Sequence, residues 1–213
     1  GKLLGADFEQ FIRCGWAMDL SLPVADRAML HADNAYLMPH ARITSHRLKT
    51  NTQSATAFRG FGGPQGMVGV ERMMDHAAVQ LGMDPLALRR LNFYREAPVA
   101  PSDASGGDIS NQWKGGRLDQ ADLAGRGAVK VAGGSGRAAR FGGAHSPGGA
   151  SDGNTTPYGM EVEDFILHDL TRRLSEGCTF ESRKQAVENW NAQEPVLKRG
   201  IALTPVKFGI SFT

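Results

Sequence analysis

Cysteine is scarce in this sequence, whose 213 residues include only Cys14 and Cys178. Two thiols cannot supply a four-ligand zinc site or hold an iron–sulfur cluster. They could form one disulfide, but so few cysteines are more typical of the reducing cytoplasm, which is therefore the expected location. No apolar run approaches the ~20 residues that cross a bilayer. Residues 1–20 mix charged side chains into apolar positions, unlike a signal peptide.

Net charge and catalytic motifs are equally sparse. The formal net charge is +2, which gives no reason to expect a nucleic-acid or membrane surface. The six histidines form no HExxH motif or i,i+4 pair, so no metal site of the metalloprotease type is predicted. Ser45–His46, Asp33 and Asp75–His76 could be combined into a nucleophile and base. We interpret each as an ordinary residue, because no serine lies in a nucleophile-elbow context.

The first 50 residues predict mixed strands and a short helix. Ser21 has the residue type of a helix N-cap, with Pro23 in the first turn. Pro39 interrupts a loosely alternating stretch and divides it into two strands. The predicted elements are a strand near Phe8–Ile12, a helix from Ser21 to about His31, a turn at Asp33–Asn34, and strands on both sides of Pro39 within Ala35–Lys49.

Two amphipathic helices are predicted after residue 66. Gly82 has the residue type of a helix C-cap, and Asp84–Pro85 is typical of a helix start. The pair could be a DNA-binding helix–turn–helix, but two packed helices with solvated arginines at Arg89–Arg90 are favoured because the basic charge is scattered. The apolar faces comprise Met67, Val70, Met74, Ala77, Ala78 and Leu81 in the first helix, and Leu88 and Leu91 in the second.

Residues 97–157 differ in composition from the rest, because Gly, Ala, Ser and Asp dominate. Such a segment cannot bury enough apolar surface to offset the entropy of ordering it. We therefore predict a flexible or aberrant Gly-rich insert over residues 98–154. Its glycine clusters at 125–127 and 134–136 follow no predicted strand, so they fail as nucleotide-binding motifs. An RGG-like RNA-binding tail would need more aromatic residues.

Helices and a strand are predicted after the insert. Pro195 ends the second helix, and the β-branched and aromatic stretch GIALTPVKFGISFT is strand-like, with Pro205 at an edge or bulge. The predictions are a helix face of Val162, Phe165, Ile166, Leu170 and Leu174, a helix over about Thr179–Asn191 with Phe180, Ala186, Val187 and Trp190 inward, and a strand over Gly200–Thr213.

The stretch TNTQSATAFRGFGGPQG, residues 50–66, is the strongest candidate for a binding site. Its glycines permit positive φ and close approach of a ligand, and a helix N-terminus that favours anions follows directly. Phe58 and Phe61 lie in this loop, while Phe208 and Phe212 lie in the C-terminal strand-like stretch. If the two stretches meet, two rings could sandwich a planar substrate. Packing of all four rings in the core is the simpler alternative.

AFRGFGGPQG strongly resembles the molybdenum-binding large subunit of the xanthine dehydrogenase/aldehyde oxidase family, and the bacterial xanthine dehydrogenase type looks closest. The resemblance covers roughly residues 12–97 and 155–213. The other matching stretches, in family order, are DLSLPVADRAMLHADNAY, GMDPLALRRLNFYRE, VEDFILHDL and RGIALTPVKFGISFT.

The resemblance implies an oxidoreductase that hydroxylates an sp² carbon of a purine or aldehyde at a molybdenum–molybdopterin centre. Electrons would leave through 2Fe–2S clusters and FAD to NAD, carried on other domains or on an Fe–S/FAD partner subunit, in a dimer of complete units. By motif match, Phe61 would stack on the substrate, and Phe212 and Thr213 would complete its pocket. Arg59 and Gly60 would approach the cofactor. This implication favours the aromatic sandwich over simple core packing.

Several family features have no counterpart here: the GEPP-type catalytic glutamate, the GGGFGGK cofactor loop, a substrate-facing arginine and the second molybdenum domain. We therefore predict no catalytic residue and no metal ligand within this chain. The sequence starts without Met and ends within a strand-like pattern, so we expect a fragment of a longer protein. Alone, it should bind no cofactor and be inactive.

The predicted fold is α+β, with mixed strands and packed amphipathic helices. Residues 1–97 and 155–213 would belong to one molybdenum-binding domain, separated by the insert at 98–154. The predicted function is oxidation of hypoxanthine and xanthine to urate. An aldehyde oxidase-type hydroxylase and a non-catalytic remnant or interaction module are the alternatives.

Overall fold

The computed structural model describes residues 1–96, the backbone of residues 139–142, and residues 154–209. This part of the chain contains five helices and three strands, which confirms a mixed α+β fold. None of these helices is long and apolar enough to cross a bilayer. The elements are β1 (Ala6–Gly15), α1 (Ser21–Met29), β2 (Ala41–Lys49), α2 (Gly63–Leu81), α3 (Pro85–Asn92), β3 (Ala139–Gly142), α4 (Leu167–Gly177) and α5 (Phe180–Gln193).

The three strands form one sheet in the order β1-β2-β3. β1 and β2 are parallel, with Ala6 opposite Ala41, so the chain crosses over through α1 as parallel strands require. β3 pairs antiparallel with the other edge of β2, where Gly142 lies opposite Arg42. β3 therefore lies within the segment predicted as a Gly-rich insert. Apart from Asn154, the remainder of that insert is outside the described residues, and its boundaries stay a prediction.

The main core lies between α2, α3 and the segment that joins α1 to β2. α2 contributes the buried side chains of Met67, Val70, Met74 and Ala78, and its apolar face is confirmed up to that point. Leu81, at the end of the predicted face, is 54% exposed. Gly82 takes the left-handed conformation at φ 62° and ends the helix as predicted. The Asp84 side chain accepts a hydrogen bond from the Ala87 N–H and caps α3.

Two predictions before α2 are wrong. Ser21 is the first residue of α1 and not its cap, because its hydroxyl donates to the Ala55 carbonyl at 3.1 Å. Only one strand, β2, lies within residues 35–49. Tyr36 instead forms an isolated bridge with Phe93, because the chain there crosses to the end of α3.

The prediction of solvated arginines fails at Arg89, which is 1% exposed. Its guanidinium pairs with the Glu71 carboxylate at 2.8 Å and with the Asp75 carboxylate at 2.7 Å. Arg90 is exposed as predicted. α2 and α3 are thus joined by a buried ion pair in addition to apolar contacts.

The part after the insert packs through Phe165 and not through a full helix face. Phe165 is buried and makes edge contacts with Phe93 and Tyr94. α4 begins only at Leu167, and the predicted inward residues Ile166, Leu170 and Leu174 are 65%, 49% and 51% exposed. Among the predicted inward residues of α5, only Phe180 is buried. Residues 200–209 form no strand, although Pro205 is buried.

Asn154 joins the two sides of the Gly-rich segment. Its side-chain oxygen accepts from the Arg95 N–H at 2.8 Å, and its amide group donates to the Arg95 carbonyl at 2.7 Å and the Val162 carbonyl at 3.1 Å. The two ends of the segment therefore meet through one side chain.

Replacing Asn154 with alanine should lower the unfolding free energy by about 2 kcal/mol, because three hydrogen bonds are lost at a partly buried site. Urea unfolding of the two proteins measures the difference. Asn189→Ala on the exposed side of α5 is the matched control, expected to stay within about 0.5 kcal/mol of the parent. Equal effects at both positions would contradict a joining role for Asn154.

Candidate functional site

The glycine loop, defined here as residues 58–63, is a tight turn in an unusual backbone conformation. Gly60, Phe61 and Gly62 have successive φ values of 90°, 49° and 101°. A left-handed conformation is rare for a bulky residue such as Phe61 and occurs where the surrounding structure enforces it. Arg59 is exposed, whereas Gly60 and Phe61 are half-buried. The loop therefore presents a cation and part of an aromatic ring on a strained backbone.

Packing within the chain accounts for the glycines of the loop. A Cβ on Gly62 would lie 2.0 Å from the Val24 carbonyl oxygen in α1. A Cβ on Gly63 would lie 2.4 Å from the Phe208 ring. The interpretation of these glycines as an open cradle for an anion is therefore wrong for Gly62 and Gly63. They let α1 and the C-terminal segment approach the loop closely.

The C-terminal strap, defined here as residues 205–209, lies against this loop. Phe208 sits over Gly63, and its ring centroid is 5.1 Å from that of His31. The Arg27 guanidinium is 4.9 Å from the Phe208 ring centroid. The structure thus brings one C-terminal aromatic residue to the loop, as the clustering of phenylalanines predicts. Phe212 and Thr213 lie outside the described residues, and their positions stay a prediction.

Polar contacts hold the strap to the turn after α1. Lys207 makes a 2.5 Å ion pair with Asp33, which is fully buried. The Tyr94 hydroxyl donates to the same Asp33 oxygen at 2.7 Å. Burial and the Asp33 carboxylate raise the pKa of Tyr94, so the phenol keeps its proton and remains a donor. The sequence predicts the turn at Asp33–Asn34 but not that Asp33 binds the strap. The only signal for this contact was a lysine, Lys207, in the strand-like stretch.

The residues of the loop fit one edge of an organic cofactor. The exposed Arg59 offers guanidinium donors that suit phosphate or carbonyl oxygens. Within residues 1–96 and 154–209, no group of three His, Cys, Asp or Glu side chains could hold a metal ion. Cys14 and Cys178 are both unpaired thiols. Arg59 is thus the charged donor that the loop offers to a bound group.

The sequence of this chain is similar to that of known proteins. A family model described as a molybdopterin cofactor-binding domain matches residues 1–93. Xanthine dehydrogenase 1 of Arabidopsis thaliana is 31% identical over 213 residues, which are all of this chain and 12% of that protein. Xanthine dehydrogenase/oxidase of Gallus gallus is 30% identical over 213 residues, with the same coverage of 100% and 12%. The chain thus spans about 12% of the length of these curated relatives.

Among solved structures, the aldehyde oxidoreductase of Desulfovibrio desulfuricans is similar to part of the chain. It is 32% identical, with a TM-score of 0.42, over 45% of this chain and 10% of that one.

Proposed function

This chain belongs to the xanthine dehydrogenase/aldehyde oxidase family, in its molybdopterin-binding part, and we propose that its glycine loop forms one wall of a molybdenum active site. The observation that carries this proposal is the conformation of Phe61. Phe61 is half-buried, and its left-handed backbone lies between two glycines that also have positive φ. Strain of this kind accumulates at binding and catalytic sites, where it fixes a side chain in one place.

The reaction proposed is hydroxylation of an sp² carbon of a purine, converting hypoxanthine and xanthine to urate. The molybdenum–molybdopterin group, when bound, supplies the oxidative chemistry. The electrons would then pass through 2Fe–2S clusters and FAD to NAD, on other domains or on a partner subunit. We also propose a dimer of complete units in the cytoplasm, and a catalytic glutamate outside this chain.

The residues of this chain bind and orient the substrate in this proposal. Phe61 stacks on one face of the planar ring, and Phe212 covers the other face. Thr213 places a hydroxyl beside the substrate. Arg59 and Gly60 contact the cofactor at the outer side of the loop. The strap supports this arrangement, because it lies against the loop at Phe208 and leads directly into Phe212 and Thr213.

Phe61→Ala in the complete, cofactor-loaded protein tests the proposal. Loss of the stacking ring should lower kcat/KM for xanthine by about 100-fold, because misplacement of a substrate by about 1 Å has effects of this size. Fold stability should change little, since alanine keeps the same backbone strain. Steady-state kinetics with matched molybdenum content measures the effect.

Phe58→Ala, in the same loop but 81% exposed, is the matched control and should leave kcat/KM within about twofold. An unchanged kcat/KM in Phe61→Ala would contradict the aromatic sandwich. Parallel assays with an aromatic aldehyde distinguish a purine enzyme from an aldehyde oxidase. No turnover of either substrate by the unsubstituted, loaded protein would favour the non-catalytic alternative.

A further inference from the structure

Asn34 joins the strap to the helix that begins at the glycine loop. Its amide nitrogen donates to the Pro205 carbonyl at 2.9 Å and to the Glu71 carboxylate of α2 at 2.8 Å. Its side-chain oxygen accepts from the Lys207 N–H at 3.0 Å. Asn34 is fully buried and has φ of 43°, a conformation that asparagine tolerates better than most residues. The Asn34 side chain thus bonds one backbone carbonyl and one backbone N–H of the strap, the two kinds of group that a neighbouring strand would bond.

His31 holds the end of the strap at Gly209. Its Nδ1 lies 2.9 Å from the Arg27 carbonyl oxygen, which can only accept, so Nδ1 carries the proton. Nε2 is therefore unprotonated in the neutral ring and accepts from the Gly209 N–H at 3.4 Å. The Arg27 guanidinium donates to the Gly209 carbonyl. Both backbone groups of Gly209 are thus bonded to side chains of α1 and its C-terminal extension.

Within the described part of the chain the strap pairs with no strand, and side chains hold it in place. Residues 200–209 belong to no sheet, and the contacts described above join residues 205–209 to residues 27–34. A Cβ on Gly63 would lie 2.4 Å from the Phe208 ring, and a Cβ on Gly60 would lie 4.0 Å from it. A shift of the strap is therefore passed on to the glycine loop.

We propose that His31 and Asn34 are positioning residues, which hold the strap against the glycine loop and thereby fix the position of Phe61. This inference rests on the proposed function, because Phe61 lies in that loop. Neither residue contacts the reacting atoms. Each acts through the backbone of residues 205–209, and His31 adds a dependence on pH.

Burial lowers the pKa of His31, and the charged groups that face the ring are Arg27, Asp33 and Lys207. The unfolded chain therefore binds a proton more readily than the folded one, below the ordinary histidine pKa of about 6.5. The neutral contact is complete above that pH and is lost as the pH falls through the lowered pKa of the folded state. Protonation places a hydrogen on Nε2, which then opposes the Gly209 N–H.

His31→Phe tests the proposal in the complete, cofactor-loaded protein, because it keeps a ring beside Phe208 but removes the acceptor at Nε2. Two measurements are made: hydrogen exchange of the Gly209 amide by mass spectrometry, and kcat/KM for xanthine between pH 5 and 8. Exchange should become about five- to tenfold faster, as expected for the loss of one hydrogen bond. kcat/KM at pH 7.5 should fall by a similar factor, at unchanged molybdenum content.

The pH profile and a second substitution separate positioning from simple stabilisation. In the unsubstituted protein, exchange at Gly209 should accelerate as the pH falls below about 6.5, after correction for intrinsic exchange. This acceleration should be absent in His31→Phe. His31→Gln, whose amide oxygen can accept from Gly209, should recover most of kcat/KM and remove the pH response. His76→Phe, at an exposed histidine of α2, is the control and should change neither measurement.

Unchanged exchange in His31→Phe would overturn the proposal, as would faster exchange with an unchanged kcat/KM. If His31→Phe does not fold, the His31→Gln comparison alone decides, because a retained pH response in that variant would also overturn it. If the proposed function is wrong, a different result is expected. Phe61→Ala then leaves kcat/KM unchanged, even if His31→Phe changes the rate of hydrogen exchange at Gly209.

Discussion

Replacing Arg89 with methionine is expected to lower the unfolding free energy by about 3–5 kcal/mol, because a buried carboxylate then loses its charged partner. Glu71 is largely buried and receives hydrogen bonds from Tyr36 and Asn34 in addition to Arg89. These neutral donors cannot replace the guanidinium charge. Thermal or urea unfolding measures the loss.

Arg90→Met provides the control at the adjacent position. Arg90 is exposed, so its substitution should change the unfolding free energy by less than about 0.5 kcal/mol. The double substitution Arg89→Met, Glu71→Gln removes both charges and should recover part of the loss, since contacting residues do not behave additively. Similar effects of Arg89→Met and Arg90→Met would show that the ion pair contributes nothing to stability.

Gly62→Ala should lower the unfolding free energy by about 3 kcal/mol. A left-handed backbone costs an L-residue roughly 1–2 kcal/mol. The added methyl would also overlap the Val24 carbonyl oxygen at 2.0 Å, and overpacking typically costs about 1–3 kcal/mol. The loop cannot move away without separating α1 from the N-terminus of α2. Urea unfolding at constant m-value measures the change.

Gly69→Ala, within α2, should have the opposite sign. Among the described residues, a Cβ at Gly69 would meet no atom within 4 Å outside the backbone of its own helix. Alanine in a helix interior is favoured over glycine by about 0.5–1 kcal/mol. A destabilised Gly69→Ala, or a neutral Gly62→Ala, would contradict the packing described for the loop and α1.

Local signals predicted α2 and α3 well. Their apolar period, the glycine after α2 and the Asp84–Pro85 start all act within a few residues, so the sequence alone contains them. Arg89 could not be predicted as buried, because its partners lie 18 and 14 residues earlier on another helix. Its neighbour Arg90 has the same residue type and the opposite environment.

The C-terminal stretch shows why part of the site escaped prediction. Its β-branched and aromatic composition is typical of a strand, but its backbone bonds go to the side chains of Asn34 and His31. No pattern in the strap itself encodes these partners. Ile166, just before α4, and Leu170 and Leu174 within it were predicted to form an inward helix face, yet they are exposed in the described part of the chain. Periodicity identifies an apolar face and not the element that covers it.

The contacts of the strap also constrain the order in which this protein folds. Asn34 and the Pro205 carbonyl are 171 positions apart, and Arg27 and the Gly209 carbonyl are 182 apart. Synthesis proceeds from the N-terminus, so α1 and α2 can dock while the strap has not yet left the ribosome. Asp33 then lacks the ammonium group of Lys207, and Gly63 is uncovered. We therefore expect the strap to dock in a late step, after the helical core has formed.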